Sequence, residues 1–330
     1  MGNFAPNIMV AVLTILGLAV FEIISSLDNA VVNASILNKI SDPRARKFFV
    51  TWGMLFAVGA VRGVLPFIIY YIPNMHLGFH RAMIGFWSGD PTVVSSVTAA
   101  APYLLMAGGM FLALLFLHWL IAEEKTIAFP FEDVFQRAGG AWFFAVAGSL
   151  LVGVLYIIRS TVVDPHQAMD LMLSAAIGIS VFFIADGFKE HAEVMESRLL
   201  DEDHGTTQAM SDWSKVLFLE VIDATFSTDG VVGAFAFTML VPFILVGNGI
   251  GAYVVRRLTL GNVERLNSYA YLKNGAMYSI GLLGLAMTLE GFGVHVPFWV
   301  SPSITFLCVG VFLWKSIAAN TKKDNATVTI

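Results

Sequence analysis

Most of this chain is apolar in runs too long for the interior of a soluble domain, and that alone sets its class. Nine such runs can be drawn, at about 8–37, 48–72, 94–121, 140–160, 168–188, 214–239, 242–258, 269–289 and 298–317. About 20 mostly apolar residues are enough to cross a bilayer as a helix. Within lipid every backbone N–H and C=O must be paired inside the chain. The expected product is therefore an all-α polytopic membrane protein with about nine transmembrane helices. Composition agrees: 57% of residues are hydrophobic and 13% charged, where a soluble domain carries roughly 25% charged residues. The single cysteine, Cys308, leaves no disulfide framework and no thiolate metal cluster. The first apolar run has no basic flank and contains Glu22 and Asp28, so it is not read as a signal peptide.

Lysine and arginine orient the spans, because cytoplasmic loops retain them. With the N-terminus outside and the C-terminus cytoplasmic, 15 of the 19 basic residues fall on the cytoplasmic side. Only Arg81 and Arg159 fall outside, and Arg62 and Lys273 lie within or at the edge of spans. The long polar connection at 189–213, with Glu193, Glu196, Asp201, Glu202 and Asp203, reads as a cytoplasmic acidic loop. Arg256 and Arg257 sit near a cytoplasmic helix end and are expected to snorkel. His118, beside Trp119, is expected at the interface.

Two spans carry acids where hydrocarbon should exclude them. The first contains Glu22, Ser26, Asp28, Asn29 and Asn33; the sixth contains Glu220, Asp223, Ser227 and Asp229. In each, an acid precedes an Asp by six residues and a Ser precedes that Asp by two. A charged side chain at the bilayer centre costs at least about 2.5–3.5 kcal/mol. A bound cation is the simplest compensation. Arg62, deep in the second span, is a candidate charge partner, but one arginine cannot balance four carboxylates. Glu220, Asp186 and Glu190 lie close to the cytoplasmic face and are read as structural.

Five crossings separate the two motifs, so their helices run in opposite directions. Spans 1–3 (8–121) and 6–8 (214–289) are accordingly expected to form two inverted three-helix repeats. Residues 140–188 supply additional helices, and 298–330 the last helix and a cytoplasmic tail. Such repeats commonly hold substrate near the bilayer midplane. Six helical residues rise about 9 Å, so Glu22 would share a level with Asp229, and Asp28 a level with Asp223. Glu22, Ser26, Asn29 and Asn33 form one polar stripe on the first helix. Gly230 and Gly233 would ease local unwinding of the sixth.

The motifs at 22–33 and 223–238 resemble the paired signatures of the TerC family, tellurium-resistance-associated membrane proteins of the LysE-like exporter group. Tyr271-Leu272-Lys273-Asn274-Gly275 is similar to a further family segment. The resemblance implies two inverted three-helix repeats and export of a divalent cation, chiefly manganese, with calcium a further candidate. It assigns Glu22, Asp28, Asn29, Asp223 and Asp229 to the metal site. This chain departs from the family in having Asp229-Gly230-Val231-Val232-Gly233 where many members have Asp-Ser followed closely by Pro. Its span count also exceeds the usual one.

The residues themselves point to a hard cation, since carboxylates, amides and hydroxyls suit Mn²⁺ and Ca²⁺. The expected site is Glu22, Ser26, Asp28, Asn29, Asn33, Asp223, Ser227 and Asp229. The expected function is secondary active export in the plasma membrane of a prokaryote, by exchange with H⁺ or Na⁺. The bilayer and the ion are the expected partners; neither nucleic acid nor a cofactor is. An enzyme is not expected, because no HExxH and no nucleophile–base set is visible. A channel, or a non-transporting scaffold in a metal or tellurite stress-resistance complex, are the competing expectations.

Overall fold

The computed structural model describes residues 8–26, 37, 40–53, 62–88, 91–201, 211–261 and 268–328. Among these residues there are twelve α-helices and no strand. They are α1 (Ile8–Ser25), α2 (Pro43–Phe48), α3 (Arg62–Tyr71), α4 (Phe79–Ser88), α5 (Pro91–Ile121), α6 (Pro130–Ala138), α7 (Ala141–Thr161), α8 (Pro165–Asp201), α9 (Asp212–Ala234), α10 (Val241–Gly261), α11 (Leu272–Gly291) and α12 (Val300–Val328). A π-helical turn, Phe49–Gly53, follows α2, and a 3₁₀ turn, Ile72–Leu77, follows α3.

Among the described residues, five stretches are long and apolar enough to cross a bilayer: Ile8–Ser25, Ala99–Ile121, Ala141–Thr161, Pro165–His191 and Val300–Thr321. The protein is an all-helical polytopic membrane protein. Helices α9, α10 and α11, with 23, 21 and 20 residues, have the length but carry charges. The outer helices turn large apolar side chains outward, as lipid contact requires. On α7, for example, Phe144, Val152 and Tyr156 are exposed, and on α12 Leu307 and Trp314.

Small residues set the helix packing. In lipid no hydrophobic force drives helices together, so close backbone approach at Gly and Ala supplies the contact. A Cβ on Gly284 of α11 would lie 2.9 Å from the Ala113 N of α5, and one on Gly291 would lie 3.1 Å from the Pro102 carbonyl. Numbers fall along α5 as they rise along α11, so the pair is antiparallel. Helix α10 meets α1 through Gly247-xxx-Gly251. A Cβ on Gly247 would lie 2.5 Å from Leu18 Cβ, and one on Gly251 2.5 Å from Glu22 Cβ and 2.8 Å from the Ala19 carbonyl. These two helices run parallel. Helix α9 crosses α1 the other way, with Gly233 on the Phe21 ring and Phe237 5.5 Å from it.

The chain is more helical than its apolar runs indicate. The connection expected at 189–213 continues α8 as far as Asp201, in keeping with its run of Ala, Glu, Met and Leu, which are strong helix formers. The expected second span, 48–72, is described as the π turn and α3, with 54–61 outside the described residues. Helix α9 stops at Ala234 instead of 239, and α10 fills 21 residues where only 242–258 were expected. Helices α4 and α6 occupy stretches expected as loops. Proline opens α2 and α6 with its preset φ. Asp42 caps α2 by accepting from the Arg44 amide at 2.8 Å. Asp212, at the start of α9, accepts from the Asp42 and Ser41 amides at 2.7 and 3.0 Å. Those amides, Asp42's first, hold its carboxyl below the usual carboxylate range.

Candidate ion site in the crevice between α1, α9 and α10

Glu22 lies three residues before the end of the apolar helix α1 and is fully buried. The Ser26 hydroxyl, one turn on, donates to Glu22 Oε1 at 2.8 Å. Two glycines leave room for the side chain. Gly251 of α10 lies against its Cβ and Cγ, and Gly230 of α9 against its carboxylate, where an added Cβ would be 2.7 Å from Oε2. Glu22 therefore occupies the crevice where α1 meets the α9–α10 hairpin. Gly230 directly follows Asp229, so the backbone of Asp229 stands level with the Glu22 carboxylate. Asp223 lies six residues, or about 9 Å, further toward the start of α9.

Of the residues expected at the site, the structure thus brings together Glu22, Ser26 and the backbone of the Asp229–Gly230 step. Asp28, Asn29 and Asn33 lie outside the described residues. Asp223, Ser227 and Asp229 are placed by backbone alone, and so is Arg62, the first residue of α3. Among the described residues no three His, Cys, Asp or Glu side chains are grouped as a metal site. Gly230 and Gly233 do not unwind α9, which stays helical through Ala234. Their role in the fold is steric: they admit Glu22 and Phe21.

Sequence reasoning passed over Asn248, which lies in the middle of α10 and is fully buried. Among the described residues, neither Oδ1 nor Nδ2 of its carboxamide has a hydrogen-bond partner. A polar residue between the two close-contact glycines of Gly247-xxx-Gly251 was the signal available. At about 100° per residue, Asn248 is rotated about 60° from Gly251, away from the α1 contact and toward the side on which Arg256 meets α9.

Glu220 and Arg256 form the next level of the same crevice. Arg256 Nη2 is 3.4 Å from Glu220 Oε1, and the guanidinium stacks 4.1 Å from the Phe49 ring centroid. Gly53 lies directly against the Glu220 carboxylate. Arg256 is 7% exposed. It does not snorkel, because the hairpin register places a carboxylate opposite it. Arg257, one residue on, does reach outward and stacks on Tyr253.

A separate polar cluster closes the end of the bundle where α5 turns into α6. Glu132 is fully buried and accepts from the Ala128 amide at 2.7 Å, the Tyr278 hydroxyl at 2.7 Å and Asn274 Nδ2 at 3.3 Å. Asn274 also donates to the Thr126 carbonyl at 2.9 Å. Lys315 of α12 donates to the Ala128 carbonyl, and Lys125 to the Trp119 carbonyl at 2.8 Å. Burial pushes the Lys125 ammonium down. Next to this cluster, His118 lies 3.8 Å from Glu123 and 3.6 Å from Asp186, with Lys273 3.2 Å from Glu123. His118 is thus a member of an ion-pair network. Burial pushes the Glu123 carboxyl up, but the His118 hydrogen bond and the Lys273 ammonium outweigh it and hold the group at about 2.

Residues 27–323 match the family described as Protein of unknown function (DUF475). The chain belongs to that family. It is similar to the Uncharacterized membrane protein YceF of Bacillus subtilis (strain 168), 28% identical over 85 residues, 26% of this chain and 33% of YceF. It is also similar to the UPF0053 inner membrane protein YoaE of Escherichia coli (strain K12), 26% identical over 117 residues, 36% of this chain and 22% of YoaE. The similarity thus spans a third or less of these relatives' length. No solved structure matches. The family so named is DUF475, and the TerC resemblance remains confined to the acid motifs and the 271–275 segment.

Proposed function

We propose that this protein exports a hard divalent cation, Mn²⁺ in the first place and Ca²⁺ in the second, by secondary active exchange with H⁺ or Na⁺. The observation that carries the reading is Glu22: a carboxylate with no exposure, in an apolar helix, lying against the glycine that follows Asp229. In hydrocarbon such a group is expected to serve an ion path or a counter-charge. Glu22, Ser26, Asp28, Asn29, Asn33, Asp223, Ser227 and Asp229 supply only oxygen ligands and amides, which favour Mn²⁺ and Ca²⁺ over softer metals.

Energy chooses the transport class. Moving two positive charges outward against 100 mV costs about 4.6 kcal/mol, so the export must be coupled. Protons or sodium ions replacing the metal on the carboxylates would keep the crevice neutral through the return step. Alternating access would come from rocking of α1–α5 against α9–α11 around the crevice. The N-terminus would lie outside and the C-terminus in the cytoplasm of a prokaryote.

The test is flux by the purified full chain in proteoliposomes, with Mn²⁺ and an imposed H⁺ or Na⁺ gradient. Glu22→Gln, Asp28→Asn and Asp229→Asn should each reduce gradient-driven Mn²⁺ flux at least about tenfold, as loss of a metal's polar neighbours commonly does. Wild-type flux that is absent, or that the three substitutions leave intact, would overturn the assignment.

A further inference from the structure

We infer that Asn248 is an additional ligand of the transported cation, its carboxamide oxygen joining the acids of α1 and α9 when the ion is bound. The inference rests on the cation reading of the Glu22 crevice and adds to it a residue on a third helix.

Position comes first. Gly247 and Gly251 fix the side of α10 that faces α1, and Arg256, paired with Glu220, fixes the side that faces α9. Asn248 projects between these two directions, into the crevice the three helices share. Its height follows from the hairpin. Asn248 stands eight residues, or about 12 Å, from Arg256 along α10. The same rise along antiparallel α9 from Glu220 leads to Thr228, next to Asp229. Glu22 reaches this level too. Its Cβ sits at Gly251 and its carboxylate at Gly230, because side chains on a helix lean toward the N-terminus. Asn248, the Glu22 carboxylate and the Asp229 backbone therefore converge at one height.

The chemistry follows from the lack of partners. Asn248 is fully buried, and among the described residues both its polar atoms are without a hydrogen-bond partner. Leaving such a group unsatisfied is costly, whereas an apolar residue of the same shape carries no such cost. A polar group kept there at a loss is explained by a partner that arrives. A cation held by Glu22 would accept Oδ1 as a ligand, while Nδ2 could donate to a carboxylate oxygen not on the metal. A neutral oxygen beside carboxylates also limits the negative charge around the ion. That composition suits the flexible, mixed coordination of Ca²⁺ and Mn²⁺ better than Mg²⁺, which keeps its waters.

The experiment measures thermal unfolding of the purified full chain in detergent against Mn²⁺ concentration, with Mg²⁺ as control. Asn248→Leu is expected to be as stable as wild type without metal, or more so. Its half-stabilising Mn²⁺ concentration should rise by about 10–100-fold. Asn248→Asp, which keeps the oxygen and adds a charge, should lower that concentration. A wild type stabilised by Mn²⁺ with both variants responding as it does would remove Asn248 from the site and leave the cation reading standing. If Asn248→Leu fails to fold, the Asn248→Asp response decides. A wild type that neither gains stability from Mn²⁺ nor transports it would overturn the cation reading, and the role of Asn248 with it.

Discussion

Glu22 and Glu132 are both carboxylates with no solvent exposure, yet their surroundings differ in kind. Glu132 sits among donors: a backbone amide, an Asn side chain and a Tyr hydroxyl, drawn from the α5–α6 turn and α11. Glu22 receives Ser26 and lies against Gly230 and Gly251, with the Asn248 carboxamide at its height. The first arrangement is a staple. Its carboxylate joins segments 146 residues apart in sequence, and its donors are fixed by the fold. The second sets glycine backbone, rather than a row of donors, directly against the carboxylate side chain. Burial therefore does not by itself mark a functional acid; what the neighbours offer it does.

The comparison breaks most readily by removing each acid. Glu132→Ala leaves the Ala128 amide and the Tyr278 hydroxyl without an acceptor, each worth about 1–3 kcal/mol when stranded, while Asn274 keeps the Thr126 carbonyl. It should lower stability by at least about 2 kcal/mol, seen as a large fall in the detergent unfolding midpoint. Glu22→Gln keeps the shape and can still accept from Ser26, so it should unfold close to wild type while losing its response to Mn²⁺. Equal destabilisation by the two substitutions would make Glu22 a second staple and end the contrast.

Glu220 stands between these extremes, buried beside a guanidinium. Arg256→Ala should cost about 3–5 kcal/mol, because it removes a guanidinium from beside a buried carboxylate. Replacing both members, Glu220→Gln with Arg256→Met, should recover most of the loss. A double substitution as damaging as the single one would show that the pair's other contacts matter more than its charge balance.

A smaller effect separates glycines that admit Glu22 from glycines that face open space. Gly251→Ala would drive a methyl into Glu22 Cβ and the Ala19 carbonyl, at 2.5 and 2.8 Å, an overpacking worth about 1–3 kcal/mol. Gly148 and Gly153 on α7 have nothing within 4 Å of the same position. Alanine there should be neutral or stabilising by up to about 1 kcal/mol. Parallel melts of the three variants check this. A neutral Gly251→Ala would mean that α1 and α10 are not held at the distance that shapes the crevice.

Much of this was legible before any coordinates. Apolar runs located the long helices, because lipid permits little else at that length. The six-residue spacing of the acids in two oppositely directed helices placed Glu22 level with Asp229, which the Gly230 contact matches in backbone position. What was not legible depended on register between distant segments. Arg256 read as a snorkelling end residue because its partner Glu220 lies 36 residues away, opposite it only once α9 and α10 fold back on each other. Glu132 sits in a nine-residue helix within what read as a connection, and nothing near it in sequence announces Asn274 or Tyr278. Asn248, one polar residue in a glycine-rich stretch, went unread, since its burial is a property of the bundle.

The smallest effect tests the outer network that surrounds the staple, and its sign follows from the Glu123 carboxyl. This group is held at about 2, against an ordinary 4.5, by His118 and Lys273, with Asp186 and Lys189 the other charges near His118. A depressed acid binds more protons unfolded than folded as pH drops, so its contribution is full above about 4.5 and disappears by about 2. Wild type should therefore lose stability between these pH values faster than Glu123→Gln, whose neutral amide carries no such dependence. Other acids titrate over the same range, so the readout is the difference between the two unfolding curves, widest at neutral pH and closing as pH falls. Curves that stay parallel down to pH 3 would mean that the ion pairs around His118 add nothing to the fold, leaving Glu132 and its donors to hold the α5–α6 turn alone.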